Sequence, residues 1–112
     1  MIIKLPLPPT TNATYMVGNG RMYKSKKATD WMNDAFFEIK KDCNHDRFTE
    51  DISVFIQFNI KRDRDVDGAV KPILDVLQHT KIVENDRQVK SLKVVINKQS
   101  KKEDVEVRIE PI

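Results

Sequence analysis

An α+β fold, with a mixed sheet of about four to five strands carrying two packed helices, is the architecture this sequence predicts. Three observations lead there. Ile52, Val54, Ile56, Phe58 and Ile60 alternate with Ser53, Phe55, Gln57 and Asn59, the period-two signature of a strand with one buried face. Ala28, Trp31, Met32, Ala35, Phe36, Ile39 and Cys43 recur at three- and four-residue steps, as in an amphipathic helix. Alternation returns at Leu92, Val94 and Ile96 and again at Val105, Val107 and Ile109, so strands lie on both sides of the helical segments. With no internal repeat or low-complexity tract, residues 1–112 read as one domain.

In chain order, Ile2-Ile3-Lys4-Leu5 is a short strand, ended by Pro6-Leu7-Pro8-Pro9, whose prolines donate nothing to a ladder and favour an extended path. Tyr15-Met16-Val17 and Arg21-Met22-Tyr23 flank Gly18-Asn19-Gly20, and Asn-Gly tolerates the positive φ angles of a tight hairpin. Ser25 is the expected N-cap of the first helix. Residues 44–50 read as a polar loop before the long strand. A second, shorter helix follows, with Val70, Ile73, Leu74 and Leu77 on its buried stripe and Pro72 about one turn inside, where it shortens or kinks the start. Lys81 to Val89 reads as a polar loop, and a Lys-rich turn joins the last two strands.

Composition narrows the class. A third of the residues are charged, 39% are hydrophobic and the formal net charge is +3. No apolar run approaches the ~20 residues of a membrane span. Met1 to Pro6 has no basic n-region ahead of a long apolar stretch, and the single Cys43 excludes an intramolecular disulfide, so a cytoplasmic location is expected.

Against that basic background, acids concentrate in Asp65-Val66-Asp67-Gly68-Ala69-Val70-Lys71-Pro72-Ile73-Leu74-Asp75 and again in Glu84-Asn85-Asp86-Arg87-Gln88-Val89. Converging carboxylates repel one another unless a divalent cation lies between them, and hard oxygen donors suit Mg²⁺ or Mn²⁺. Asp65 and Asp67, two apart in a chain still extended after the long strand, project to the same side. Lys71 and Asp75 follow Asp67 at single helical turns, on the face opposite the apolar stripe. A helix beginning near Gly68 adds partial positive charge from its amides. Asp86 is placed to swing back and complete the cluster. The plainer alternative is that Asp65 and Asp67 cap the helix, Lys71 pairs with Asp67 or Asp75, and Asp86 is a turn residue. A calcium loop is excluded. Asp63, Asp65, Asp67 and Gly68 fit its first half, but Leu74 stands where that loop needs a bidentate Glu, and the incoming segment has strand periodicity.

These residues carry a resemblance. Asp65-Val66-Asp67, then Lys71-Pro72-Ile73-Leu74-Asp75-Val76-Leu77, then Asn85-Asp86-Arg87-Gln88-Val89 resemble the core of the RusA family of Holliday junction resolvases, small Mg²⁺-dependent endonucleases often encoded by phages and prophages. Leu7-Pro8-Pro9-Thr10-Thr11-Asn12 is similar to that family's proline-rich N-terminal segment. The resemblance implies a homodimer that binds branched DNA, nicks two opposed strands of a four-way junction symmetrically, and serves recombination and repair. It further implies Asp65, Asp67 and Asp86 as metal-binding carboxylates, with Mg²⁺ as cofactor and Mn²⁺ as a possible substitute, and Lys71 as the catalytic lysine. Asp75 matches a recurrent acid of open role. Asn85 departs from members that carry a second acid there, which bears on the number of metal ions.

DNA-binding candidates are Arg21, Lys24, Lys26 and Lys27 around the hairpin and helix start, with Lys61, Arg62 and Arg64 just before the acids. Lys98, Lys101 and Lys102 read as a solvated face. Tyr15 and Tyr23 are assigned to hairpin packing ahead of base stacking. His45 and His79 are too isolated for a zinc site, and Trp31 takes a core or interface position. Two other classes stay open: a metal-dependent nuclease acting on other branched DNA or RNA, and a non-catalytic nucleic-acid-binding phage accessory protein. Clustered carboxylates repel phosphate when no metal is present, which counts against the second.

Overall fold

In the computed structural model, residues 1–9, 15–18, 21–42, 47–98 and 101–112 are described. The strands are β1 (Ile2–Leu5), β2 (Tyr15–Gly18), β3 (Arg21–Lys24), β4 (Ile52–Asn59), β5 (Val89–Asn97) and β6 (Asp104–Pro111); the helices are α1 (Lys26–Asp42) and α2 (Asp67–His79). One four-stranded sheet runs in the order β1-β6-β4-β5, and β2 pairs with β3 separately as the expected hairpin. The sheet is mixed: β4 is antiparallel to β6 and parallel to β5. A parallel pair needs a crossover connection, and α2 supplies it. The α+β architecture expected from the sequence is therefore the one observed.

The core follows the periodicities. Ile52, Val54, Ile56, Phe58 and Ile60 are buried, and they share one cluster with Trp31, Ala35 and Ile39 of α1, Ala69, Ile73, Val76 and Leu77 of α2, and Val105, Val107 and Ile109 of β6. Each fully buried aliphatic or aromatic side chain contributes about 1.5–3 kcal/mol of transfer free energy. Ser25 caps α1 as expected, its Oγ accepting from the Ala28 amide at 3.2 Å. Trp31 belongs to the core, and its indole N–H donates to the Pro6 carbonyl at 2.8 Å, which fastens the proline-rich segment to α1.

Four expectations change in detail. Pro72 lies inside α2 without ending it, while Val70 and Leu74 are only partly buried and Ala69 and Val76 fill the core. Residues 47–50 and 81–89 are less loop-like than their polarity suggests. Ile82 and Val83 are buried, and Phe48 bridges Val83 and donates its amide to the Ile82 carbonyl at 2.7 Å. The last two strands, though consecutive, are not neighbours, because β4 lies between them. β5 is consequently an edge strand, and its Leu92 and Ile96 stay exposed despite their alternation. Among the described residues no helix is long and apolar enough to cross a membrane. Cys43, His45 and the segment 10–12 lie outside the described residues.

Candidate metal and DNA site

Strand β4 delivers the chain to the acidic segment from a fixed end. Asn59 there donates to Asp104 at 2.6 Å and accepts from Gln57 and Asn97, and the Ile60 amide donates to the Asn97 carbonyl. Beyond it, Arg64 reaches inward: its guanidinium donates to the Pro8 carbonyl at 2.7 Å, and its buried Nε has no partner among the described residues. Arg64 thus ties the proline-rich segment to the stretch that carries Asp65. Lys61 and Arg62 remain exposed.

Asp65 and Asp67 are exposed on either side of half-buried Val66, the N-cap of α2. Val66 has helical dihedrals (φ −108°, ψ −11°), so the chain turns between the two acids and they are not the extended pair expected from the sequence. Among the described residues neither carboxylate makes a capping bond to the first turn of α2. Asp67 opens α2, where a carboxylate is favoured by the helix dipole. One turn on, Lys71 Nζ lies 3.3 Å from Asp75 Oδ1, the exposed i,i+4 pair that the plainer alternative expected.

Asp86 opens a short 3₁₀ turn, Asp86–Gln88. Its neighbours form a capping box. Asn85 Oδ1 accepts from the Arg87 amide at 2.9 Å, and Gln88 Oε1 accepts from the Asn85 amide at 2.9 Å. Gln88 Nε2 donates to the carbonyls of Phe48 and Glu50, both at 2.9 Å. The sequence reading missed this pair. The Asn-x-x-Gln spacing is the signal that was available. Asp86 itself is exposed, and among the described residues its carboxylate has no bonding partner.

Topology sets Asp86 apart from the other two acids. In the parallel pair, Ile52 lies opposite Val89 and Asn59 opposite Asn97, so the turn before Val89 is at the start of β4 whereas Asp65 and Asp67 come after its end. Helix α2 runs back between the two ends. The Val83 amide bonds the Leu77 carbonyl at its far end, and thirteen residues at 1.5 Å each make α2 about 20 Å long. Mg²⁺–oxygen bonds are ~2.1 Å, so one ion gathers oxygens only a few ångströms apart. Accordingly, among the described residues no three His, Cys, Asp or Glu side chains are grouped to hold a metal. The expected swing of Asp86 back onto its own Asp65 and Asp67 is not made, because β4 and α2 hold the two ends apart.

The basic candidates divide. Lys26 and Lys27 are exposed in the first turn of α1, which holds no acid. Cations at a helix N-terminus cost ~0.3–1 kcal/mol each, so helix stability does not explain them. The side chains of Arg21, Lys24, Tyr15 and Tyr23 lie outside the described residues. Lys98 is paired with Asp63 at 2.8 Å, and exposed His79 stacks edge-on against Phe36.

Comparison with known proteins agrees with the motif. The profile of the family described as endodeoxyribonuclease RusA matches residues 6–110. A crossover junction endodeoxyribonuclease RusA of Aquifex aeolicus is 28% identical over 110 residues, covering 96% of this chain and 86% of its own. A protein of the same description from Enterobacteria phage HK97 is 30% identical over 94 residues, covering 81% of this chain and 78% of its own.

Proposed function

The chain belongs to the RusA family of endodeoxyribonucleases, and from that premise we propose that it resolves four-way DNA junctions as a two-fold dimer whose metal sites are shared between subunits. The enzyme is a metal-dependent hydrolase that cuts DNA at crossover junctions. Mg²⁺ is the cofactor of this reading, with Mn²⁺ able to replace it, and the cytoplasm is where such DNA is met. One observation carries the shared site: Asp65 and Asp67 stand at one end of the sheet and Asp86 at the other. A two-fold partner inverts that order, so the Asp86 of each subunit can meet the Asp65 and Asp67 of the other.

The donor chemistry fits a hard divalent cation, since all three residues offer carboxylate oxygens that the described residues leave without partners. Such an ion, when bound, offsets the repulsion between an anionic nucleophile and the phosphodiester and lowers the pKa of a coordinated water. Lys71, one turn from Asp67 on the exposed face of α2, supplies positive charge for the pentacovalent phosphorane or the departing 3′ oxygen. The α2 N-terminus adds partial positive charge where phosphate docks. Lys26, Lys27, Lys61 and Arg62 contribute salt-sensitive backbone contacts, together with Arg21 and Lys24. Arg64 is read as a tether first and a phosphate contact second, given its bond to Pro8.

The decisive experiment mixes two inactive variants, Asp67→Asn and Asp86→Asn, on a synthetic four-way junction with Mg²⁺. Half of the randomly paired dimers are mixed, and each has one intact shared site, so about a quarter of the sites regain nicking. Single nicks replace paired ones. A mixture as inactive as either variant alone refutes the shared site. Three-way and linear substrates run beside it decide junction selectivity.

A further inference from the structure

Gln88 is half-buried and uses its carboxamide completely. Oε1 accepts from the amides of Glu84 and Asn85, and Nε2 donates to the carbonyls of Phe48 and Glu50, all at 2.9 Å. Two donors and two acceptors are all that a glutamine side chain has. Every one is spent on backbone, and Phe48 and Glu50 lie 40 and 38 residues before Gln88 in sequence. Asn85 closes the other side of the turn, accepting from the Arg87 amide, while the Gln88 amide donates to the Asn85 carbonyl at 3.1 Å. Between these anchors lies Asp86, its backbone fixed and its carboxylate free to point outward.

We infer that Gln88 is a positioning residue that fixes where Asp86 is presented to a metal ion, an inference that rests on the shared site proposed above. Gln88 touches no atom of the Asp86 carboxylate and acts through the backbone on either side of it; losing the groups that support a metal ligand typically lowers metal affinity or activity about 10–100-fold. Only a carboxamide of this length makes all four bonds. Glutamate keeps both acceptors but sets a negative charge against the Phe48 and Glu50 carbonyls, and methionine keeps the volume with no bond at all. The loss in folding stability stays modest because the amides of Glu84 and Asn85 and the Glu50 carbonyl take up water when released.

The test measures Mn²⁺ affinity of the dimer by calorimetry for wild type, Gln88→Met and Gln88→Glu, with thermal denaturation run on each. We expect affinity to fall by about 10–100-fold in Gln88→Met and less in Gln88→Glu, with both proteins folded. A second arm uses the mixed dimers. Gln88→Met on the Asp67→Asn chain, which donates the working Asp86, should lower nicking at least about tenfold more than the same change on the Asp86→Asn chain. A purely structural role predicts equal losses from either chain, and that result, or Mn²⁺ affinity within about twofold of wild type in both Gln88 variants, overturns the inference. If the mixed dimers without any Gln88 change fail to nick, the shared site fails and the inference falls with it.

Discussion

Replacing Lys71 with alanine separates catalysis from folding and binding more sharply than any other single change. The lysine side chain is 72% exposed and its contact is the 3.3 Å pair with Asp75, itself 34% exposed. An i,i+4 pair so open to solvent is worth about 0.3–0.5 kcal/mol, and alanine's higher helix propensity returns a few tenths. Folding stability should therefore barely change, with Tm moving by no more than about 2–3 °C. Junction affinity should lose at most one phosphate contact, lowering the slope of log affinity against log salt by about one. The chemical step is different. Removing one preorganised group that stabilises transition-state charge typically costs about 10²–10³ in rate, or roughly 2.7–4 kcal/mol, several times the worth of the surface pair. The assay is single-turnover nicking of a four-way junction at saturating enzyme, beside a binding titration in EDTA. Nicking within about threefold of wild type, or a loss accounted for wholly by weaker binding, would refute the role given to Lys71.

Other consequences are as specific. Asp67→Asn removes the charge proposed to bind metal together with its favourable interaction with the α2 dipole, so Mg²⁺-dependent nicking should disappear while junction binding persists and stability falls by no more than about 0.3–1 kcal/mol; full metal-dependent cleavage would overturn the assignment. Trp31→Phe deletes the 2.8 Å bond to the Pro6 carbonyl and should cost about 0.5–1.5 kcal/mol in denaturant unfolding, with faster proteolysis of the proline-rich segment as the local signature. Phe58→Ala empties a fully buried position on the central strand and should cost about 3–5 kcal/mol, measured as a lower denaturant midpoint at unchanged m-value.

The acids at Asp65 and Asp67 show how much chemistry was legible without coordinates. A net basic chain with carboxylates concentrated around a lysine at helical spacing points to metal-assisted work on a polyanion, with capping and ion pairing as the open alternative, and the resemblance to the RusA family decides between them. What the spacing did not carry was geometry between segments. Asp86 looks close to Asp65 along the sequence, about twenty residues away, but those residues are spent on a helix that crosses the length of the sheet. Arg64 looked like one more phosphate contact because its charge is visible in sequence, whereas its acceptor, the Pro8 carbonyl, is fifty-six residues away. Gln88 was legible only in part, since the Asn-x-x-Gln spacing marks its turn but two of its four partners belong to the chain before β4.

The sequence by itself determined the local elements, namely the strand periodicity of β4 and β6, the apolar stripe of α1, its Ser25 cap and the hairpin of β2 and β3, because each depends on residues within a few positions of one another. Strand order was decided only in three dimensions. Burial of β4 between β5 and β6 sets which ends meet, and a parallel neighbour places the start of β5 beside the start of β4. That one pairing puts Asp86 at the end of β4 opposite Asp65 and Asp67, which is why the proposed site takes its third carboxylate from a partner subunit.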